Sequence, residues 1–226
     1  MMDWDTVRRG KFYDLIAGLP LILWFGLGVV QMRPNLAANA RALLIEPDNL
    51  LLNLRFFALF ASAAFNLLLI YLVVVRTEPV RRSSGLLPRA CGFAGTFLGV
   101  GILQLPVAPL SLSTQIVAAA LIGIGSLGSL LVLWWLGKSF SILPEARRLV
   151  TAGPYAFARH PLYSVEIITV LGTALQFQAP WAWLIALGVV ALLWIRTQYE
   201  EQVLAESFPE YPAYRARTKR FIPGVI

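Results

Sequence analysis

The stretch Gly153-Pro154-Tyr155-Ala156-Phe157-Ala158-Arg159-His160-Pro161-Leu162-Tyr163 holds the only histidine of the chain. It sets a cation, an imidazole and two phenols between two long apolar runs. An arginine beside a histidine offers a fork for an anionic group and a side chain that titrates near neutrality. Pro161 biases His160 away from helical geometry and suits the first turn of a following helix. The free amides of that helix then lie next to His160 and Tyr163, and a helix N-terminus favours anionic groups. After the last apolar run, Glu200 and Glu201 open the segment EEQVLAESFPEYPAYRARTKRFIP, which joins two adjacent carboxylates to Tyr211, Tyr214 and a basic tail. None of residues 203–205 is basic, so the pair lacks a cation one turn further along a helix.

The elements that must position these groups follow from composition. The chain is 58% hydrophobic and 14% charged, with a mean hydropathy of +0.70, against about 25% charged residues in soluble domains. It reads as a membrane protein. Apolar runs near 14–32, 54–75, 91–107 and 115–136 approach the roughly 20 residues that cross a bilayer as a helix. Two shorter runs follow near 162–178 and 180–196. No strict alternation of a barrel strand is present, so helices must satisfy the backbone in lipid. The expected fold is an all-α integral membrane protein of about six transmembrane helices, with an N-terminal four-helix region at 1–136 and a site-bearing unit at 137–226. Gln178-Ala179-Pro180 leaves room for a tight hairpin only. The sixth helix then exits near Arg196, and Glu200 and Glu201 rise about one turn beyond the boundary beside the loop. Residues 33–53, with Pro34, Pro47 and several Asn, are expected to form an external loop with a short interfacial helix.

Positive charge sorts by side. Sixteen of the 19 Lys and Arg fall on the N-terminus, the second and fourth connections and the C-terminus, which predicts that both termini and the motif loop are cytoplasmic. The net charge of +7 fits topology and anionic headgroups, with Lys219 and Arg220 expected as headgroup contacts. The basic residues are dispersed instead of forming one stripe, which argues against nucleic acid as a partner. Residues 1–40 imitate a secretory signal, with a small-x-small step at Ala38-Asn39-Ala40. A cytoplasmic N-terminus and an even helix count argue for an uncleaved segment. Cys91 stands alone, so no intramolecular disulfide is expected, and one His with one Cys makes a zinc site improbable. The Gly95/Gly99 and Gly125/Ser129 steps predict close packing inside a monomer, and Asn66 and Gln104 predict interhelical hydrogen bonds. Helix interiors read as nearly free of ionisable residues, which argues against ion transport.

The GPYAFARHPLY loop, a hairpin of two apolar helices, the segment EEQVLAESFPEYPAYRART and the terminal Arg220 to Pro223 resemble the isoprenylcysteine carboxyl methyltransferase superfamily and the related phospholipid methyltransferases. The resemblance covers roughly residues 138–223. The family often has Phe-Gly with a Tyr four residues after the Phe, whereas here Phe208-Pro209 is followed by Tyr211.

The resemblance implies a membrane methyltransferase using S-adenosyl-L-methionine held between loop and tail. The implied cofactor site comprises Gly153, Pro154, Tyr155, Arg159, His160, Pro161, Tyr163, Glu200, Glu201, Tyr211 and Tyr214, with Arg159, His160 and Glu201 as the catalytic set and no metal. Arg159 suits the cofactor's carboxylate, Tyr155 or Tyr163 its purine or sulfonium, and Glu200 or Glu201 its ribose hydroxyls. The acceptor is a lipophilic small molecule or lipid. An isoprenylcysteine-type carboxylate, a phospholipid amine and a thiol all fit. The alternative is a membrane reductase of the sterol-reductase type using NADPH, although no dinucleotide glycine fingerprint is present.

Overall fold

The computed structural model describes residues 11–222. Arg8 and Arg9, two of the sixteen sorted charges, and Pro223 lie outside them. The chain is an all-α integral membrane protein, with α1 at Lys11–Ile45, α2 at Leu50–Val75, α3 at Leu86–Phe97 continued as a 3-10 turn over Leu98–Gln104, α4 at Leu112–Leu136, α5 at Pro161–Ala174, α6 at Trp181–Ser207 and α7 at Tyr211–Arg217. Two short strands, β1 at Arg81–Arg82 and β2 at Glu145–Ala146, pair antiparallel.

Among the described residues five helices are long and apolar enough to span a membrane, where the sequence predicted six. The fifth predicted span is the short α5, about 21 Å of helix against a hydrocarbon core of about 30 Å. It ends at Ala174 instead of 178 because the hairpin takes its last residues. There Gln178 N donates to Pro106 O and Ala108 N to Gln176 O, each at 3.0 Å, which satisfies backbone groups that a helix would otherwise pair. The external loop expected at 33–53 is absent as such. Helix α1 runs through Pro34 to Ile45, and the turn is confined to residues 46–49. The Ala- and Leu-rich stretch 36–45 propagates helix strongly enough to absorb the one backbone bond that Pro34 removes. Asn49 then caps α2 by accepting from Leu52 N at 3.2 Å, as Ser111 caps α4 by accepting from Thr114 N at 3.2 Å.

Helices α1, α2, α4 and α5 pack as a row in that order, and α3 with its 3-10 extension packs on α6 across from it. Small residues set the spacing. A Cβ on Gly125 would collide with the Thr169 side chain and lie 2.8 Å from Val165 O, and one on Gly172 would lie 2.8 Å from Leu121 Cβ, so α4 and α5 meet nearly backbone to backbone. Gly95 and Gly99 face Leu192 and Val189 of α6. Asn66 donates to Met32 Sδ across 4.0 Å, a weak link from α2 to α1. Gln104 is exposed at the end of the 3-10 turn, and its side chain makes no hydrogen bond among the described residues, against expectation. The interior groups of this row are thinly polar, but α5 and α6 bring Glu166 and Arg196 to the wall of one internal cavity. That revises the expectation of helix interiors free of ionisable groups.

At the end of the bundle that carries the motif loop, the second and fourth connections are stitched together. Val80 N donates to Ala146 O at 2.7 Å and Ser83 N to Pro144 O at 3.0 Å. Glu145 collects Arg82 at 3.3 Å, Arg147 at 2.8 Å and the Ser141 hydroxyl at 2.9 Å, and Arg147 also donates to Thr77 O. This brace fixes Phe140 to Val150 as one wall of the site.

Candidate active site

Pro161 is the first residue of α5, and His160 caps it with φ −126 and ψ 55, outside helical geometry. Before it, Gly153–Ala156 forms a 3-10 turn. Gly153 has φ +60, and a Cβ there would run into the Trp135 ring, so this corner needs glycine on both counts. From the other side α6 continues past Arg196 as an unbroken helix to Ser207, which carries Glu200 and Glu201 up beside the loop.

The tail closes the arrangement by pairing with the loop backbone. Arg159 N donates to Lys219 O and His160 N to Arg220 O, both at 2.8 Å. Ser164 Oγ donates to Phe221 O at 3.0 Å and the Tyr214 hydroxyl to Tyr155 O at 2.7 Å. These are neutral bonds. The charged lock is Glu201, which is 4% exposed. Its Oε1 accepts from Arg159 Nε and Arg220 Nε, each at 3.0 Å, and lies 3.3 Å from His160 Nε2. Its Oε2 accepts from Arg220 Nη2 at 3.1 Å. Arg159 further donates to Arg215 O at 3.1 Å and to Thr218 O. Glu200 takes a separate set: Tyr163 donates to its Oε1 at 2.6 Å and Arg196 Nε at 2.8 Å, while His160 Nδ1 lies 3.6 Å from its Oε2. His160 thus sits between the two carboxylates and stacks on Tyr163 at 5.5 Å.

Two cavities meet here. The outer one, about 110 Å³, lies between the 139–150 wall, the loop and α7, with Tyr155, Arg159, His160, Tyr163, Glu200, Tyr211 and Tyr214 in its lining. The inner one, about 330 Å³ and mostly apolar, lies among the membrane helices. Phe140, Leu162, Tyr163 and Arg196 line both. A molecule in one cavity is therefore separated from a molecule in the other by a single layer of side chains.

Of the residues singled out in the sequence, Gly153, Pro154, Pro161 and Glu201 do not line the outer cavity. Gly153, Pro154 and Pro161 shape the backbone, and Glu201 binds loop to tail. Several neighbours were not singled out. Arg196, counted only as a topological charge, is the partner of Glu200 four residues back, so the missing cation lies on the N-terminal side of the pair. Arg220, expected at headgroups, is spent on Glu201, while the Lys219 side chain is exposed. Arg147 and Arg148 also line the outer cavity. Glu166 reaches the inner one, and spacing offers a signal for it: it lies one turn from Tyr163 on the same helix face.

The outer cavity has the chemistry to hold a polar ligand. The Tyr211 hydroxyl is buried without a hydrogen-bond partner, an arrangement that costs stability unless a ligand supplies the partner. Burial, and then the charge of Glu201, push the Tyr211 hydroxyl well above the ordinary phenol range. Burial does the same for Tyr155, joined by the charge of Glu200, and pushes Tyr214 up to about 12. All three stay protonated at accessible pH and act as O–H donors. With Arg148, Arg159 and the acceptor Glu200, the lining offers cations, donors, an acceptor and aromatic faces to one ligand.

Residues 113–211, from α4 to the start of α7, match the phospholipid methyltransferase family, which groups with the isoprenylcysteine carboxyl methyltransferases. Among curated proteins the chain is similar to the nickel-cobalt-cadmium resistance protein NccN of Alcaligenes xylosoxydans xylosoxydans, 30% identical over 112 residues that make up 47% of this chain and 52% of that protein. It is also similar to the cobalt-zinc-cadmium resistance protein CzcN of Cupriavidus metallidurans, 37% identical over 78 residues, 33% of this chain and 35% of that protein. The match thus spans about half the length of the first relative and a third of the second.

Proposed function

We propose that the chain transfers a methyl group from S-adenosyl-L-methionine, bound in the outer cavity from the cytoplasmic side, to a membrane-partitioned acceptor bound in the inner one. The observation that carries this reading is the shared wall of Phe140, Leu162, Tyr163 and Arg196. A polar, aromatic chamber and an apolar chamber within the bilayer meet at one layer of side chains, as a polar donor and a lipophilic acceptor require. Arg148 or Arg159 would take the donor's carboxylate, the tyrosines its purine and sulfonium faces, and Glu200 and the Tyr211 hydroxyl its remaining polar groups. The bound donor supplies an electrophilic methyl group on a sulfonium.

The protein's task is then positioning and dryness. Orientation of two bound reactants contributes up to about 7–11 kcal/mol to such a displacement, and the apolar inner chamber strips water from the acceptor. Glu201 holds Arg159 and His160 in place by docking the tail on the loop, and His160 passes that order on to Glu200 and Tyr163. The names of the relatives concern metal resistance. Among the described residues no group of three or more His, Cys, Asp or Glu is placed to hold a metal ion, and the proposed chemistry uses none.

Titration of the purified full chain with S-adenosylhomocysteine and separately with NADPH tests the reading. S-adenosylhomocysteine should bind in the micromolar range and raise the melting temperature, since a ligand at 100 times its dissociation constant adds about 2.7 kcal/mol. Stabilisation by NADPH alone would overturn it in favour of a reductase.

A further inference from the structure

We propose that another cavity, at the end of the bundle away from the motif loop, binds the phosphate head of an anionic amphiphile seated in the leaflet on that side. The inference stands apart from the methyltransferase reading, because it concerns a different chamber. This cavity, about 480 Å³, lies among α1, α2, α4 and the connections that close this end. Arg55 is the one charged residue in its lining, and no carboxylate lines it. Arg55 Nη2 donates to Gln115 Oε1 at 2.6 Å, and Gln115 Nε2 donates to Leu110 O at 3.0 Å. A neutral, fixed acceptor thus keeps the guanidinium at the chamber wall, and Arg55 makes no ion pair among the described residues. Asn35 and Gln176 add side-chain amides that make no hydrogen bond among the described residues. Gln176 is held in place through its backbone, which accepts from Ala108 N at 3.0 Å.

That donor set selects the ligand. A metal ion or an ammonium would meet the charge of Arg55 and no carboxylate to offset it. A phosphate oxyanion takes the guanidinium as a fork and has oxygens left for amide donors. The rest of the lining includes Ala58, Leu59, Ala119 and Ile122, apolar surface that an inorganic ion would leave uncovered and an alkyl chain covers.

Position fits an amphiphile as well. Arg55 lies five residues into α2 and Gln115 three residues into α4, about 7.5 and 4.5 Å from the helix starts. The far end of α2 is the one that joins the motif-loop side, where Thr77 N donates to Lys138 O at 2.9 Å. The cation therefore sits at headgroup depth in the opposite leaflet, and Arg55 and Asn35 are exposed there. Ser62 lines both this chamber and the inner cavity and is hydrogen-bonded to Ser126 at 3.0 Å. A head bound at Arg55 is thus on the far side of that hydroxyl pair from the chambers of the proposed reaction, and the ligand is a bound lipid and not the methyl acceptor.

Dodecyl phosphate, dodecylphosphocholine and dodecanol, which share one chain and differ in the head, are the probes, with inorganic phosphate as the head alone. Their affinities are measured by thermal shift and calorimetry on the purified full chain in a neutral detergent. The parent should bind dodecyl phosphate about tenfold more tightly than dodecanol, the worth of a charge-assisted hydrogen bond. Dodecylphosphocholine should fall between them, since its cationic end finds no carboxylate, and inorganic phosphate should bind weakest. Arg55→Gln should lose the preference. Gln176→Leu, which changes no charge, should weaken dodecyl phosphate about three- to tenfold and keeps the test open if Arg55→Gln fails to fold. Arg41→Gln removes an exposed charge of the same end that does not line the chamber and should bind as the parent does. A parent without the preference overturns the proposal. So does an Arg41→Gln loss equal to that of Arg55→Gln, which would mean general attraction to a charged surface, and so does inorganic phosphate binding as tightly as dodecyl phosphate, which would mean an ion from water. S-adenosylhomocysteine affinity should be the same in all variants; its failure to bind the parent would remove the methyltransferase reading and leave this one standing.

Discussion

Replacing Glu201 by Gln keeps the shape of the side chain and removes one charge where loop and tail meet. In the parent this one carboxylate holds Arg159 and Arg220, whose side chains are only 10% and 15% exposed. Water has little access to take its place. Hydrogen bonds to charged groups contribute about 1.5–3 kcal/mol each, and removing one partner of a buried ion pair costs about 3–5 kcal/mol. The Gln amide oxygen still accepts one of the guanidinium N–H groups, so the expected loss is about 3 kcal/mol, roughly a hundredfold in the equilibrium between docked and undocked tail. The loss falls on the tail and not on the bundle, because the packing of α1, α2, α4 and α5 does not involve Glu201. Two amides report it directly: those of Arg159 and His160, which donate to Lys219 O and Arg220 O across the seam. Their hydrogen exchange, followed by mass spectrometry in detergent, should accelerate by about two orders of magnitude in Glu201→Gln, while helical circular dichroism stays at the parent level. Lys219→Ala, which touches only an exposed side chain, should leave both amides protected. Protection in Glu201→Gln within about threefold of the parent would refute the assignment of Glu201 as the lock.

Arg159→Ala and His160→Ala should each lose most S-adenosylhomocysteine binding by calorimetry while the protein stays folded in detergent, whereas Lys219→Ala should bind as the parent does. Tyr211→Phe removes a hydroxyl that has no partner, so the ligand-free protein should melt no lower than the parent while S-adenosylhomocysteine affinity falls by about three- to tenfold, the worth of one neutral hydrogen bond. Gly125→Val should destabilise the bundle by about 1–3 kcal/mol or more by overpacking α4 against Thr169 and Val165, read as a lower melting temperature with no change in ligand selectivity. For sidedness, a cysteine at Lys138 should react with an impermeant thiol reagent only from the cytoplasmic face and one at Ser113 only from the opposite face; Cys91 is buried and leaves a low background.

Hydropathy alone determined that the chain lives in a membrane as helices, because lipid leaves a backbone no other open-ended way to satisfy its polar groups. Local rules also placed the corner at His160-Pro161 and the rise of Glu200 and Glu201 beside it, since a proline after the loop and a short hairpin are constraints of neighbouring residues. The boundaries at Ile45 and Ala174 were not legible, because they depend on how strongly a helix propagates through a proline and on a hairpin that pairs with residues 106–108, far away in the chain. The division of labour between the glutamates needed the tertiary structure as well. Adjacent carboxylates point about 100° apart around a helix, so Glu200 turns to Arg196 and Tyr163 and Glu201 to Arg159 and Arg220, and no spacing rule pairs Glu201 with arginines 42 residues before it and 19 after it. Glu166 shows the same limit most sharply. In the sequence it is a single charge in an apolar helix, and only the packing of six helices around one chamber brings it to the same cavity wall as Arg196.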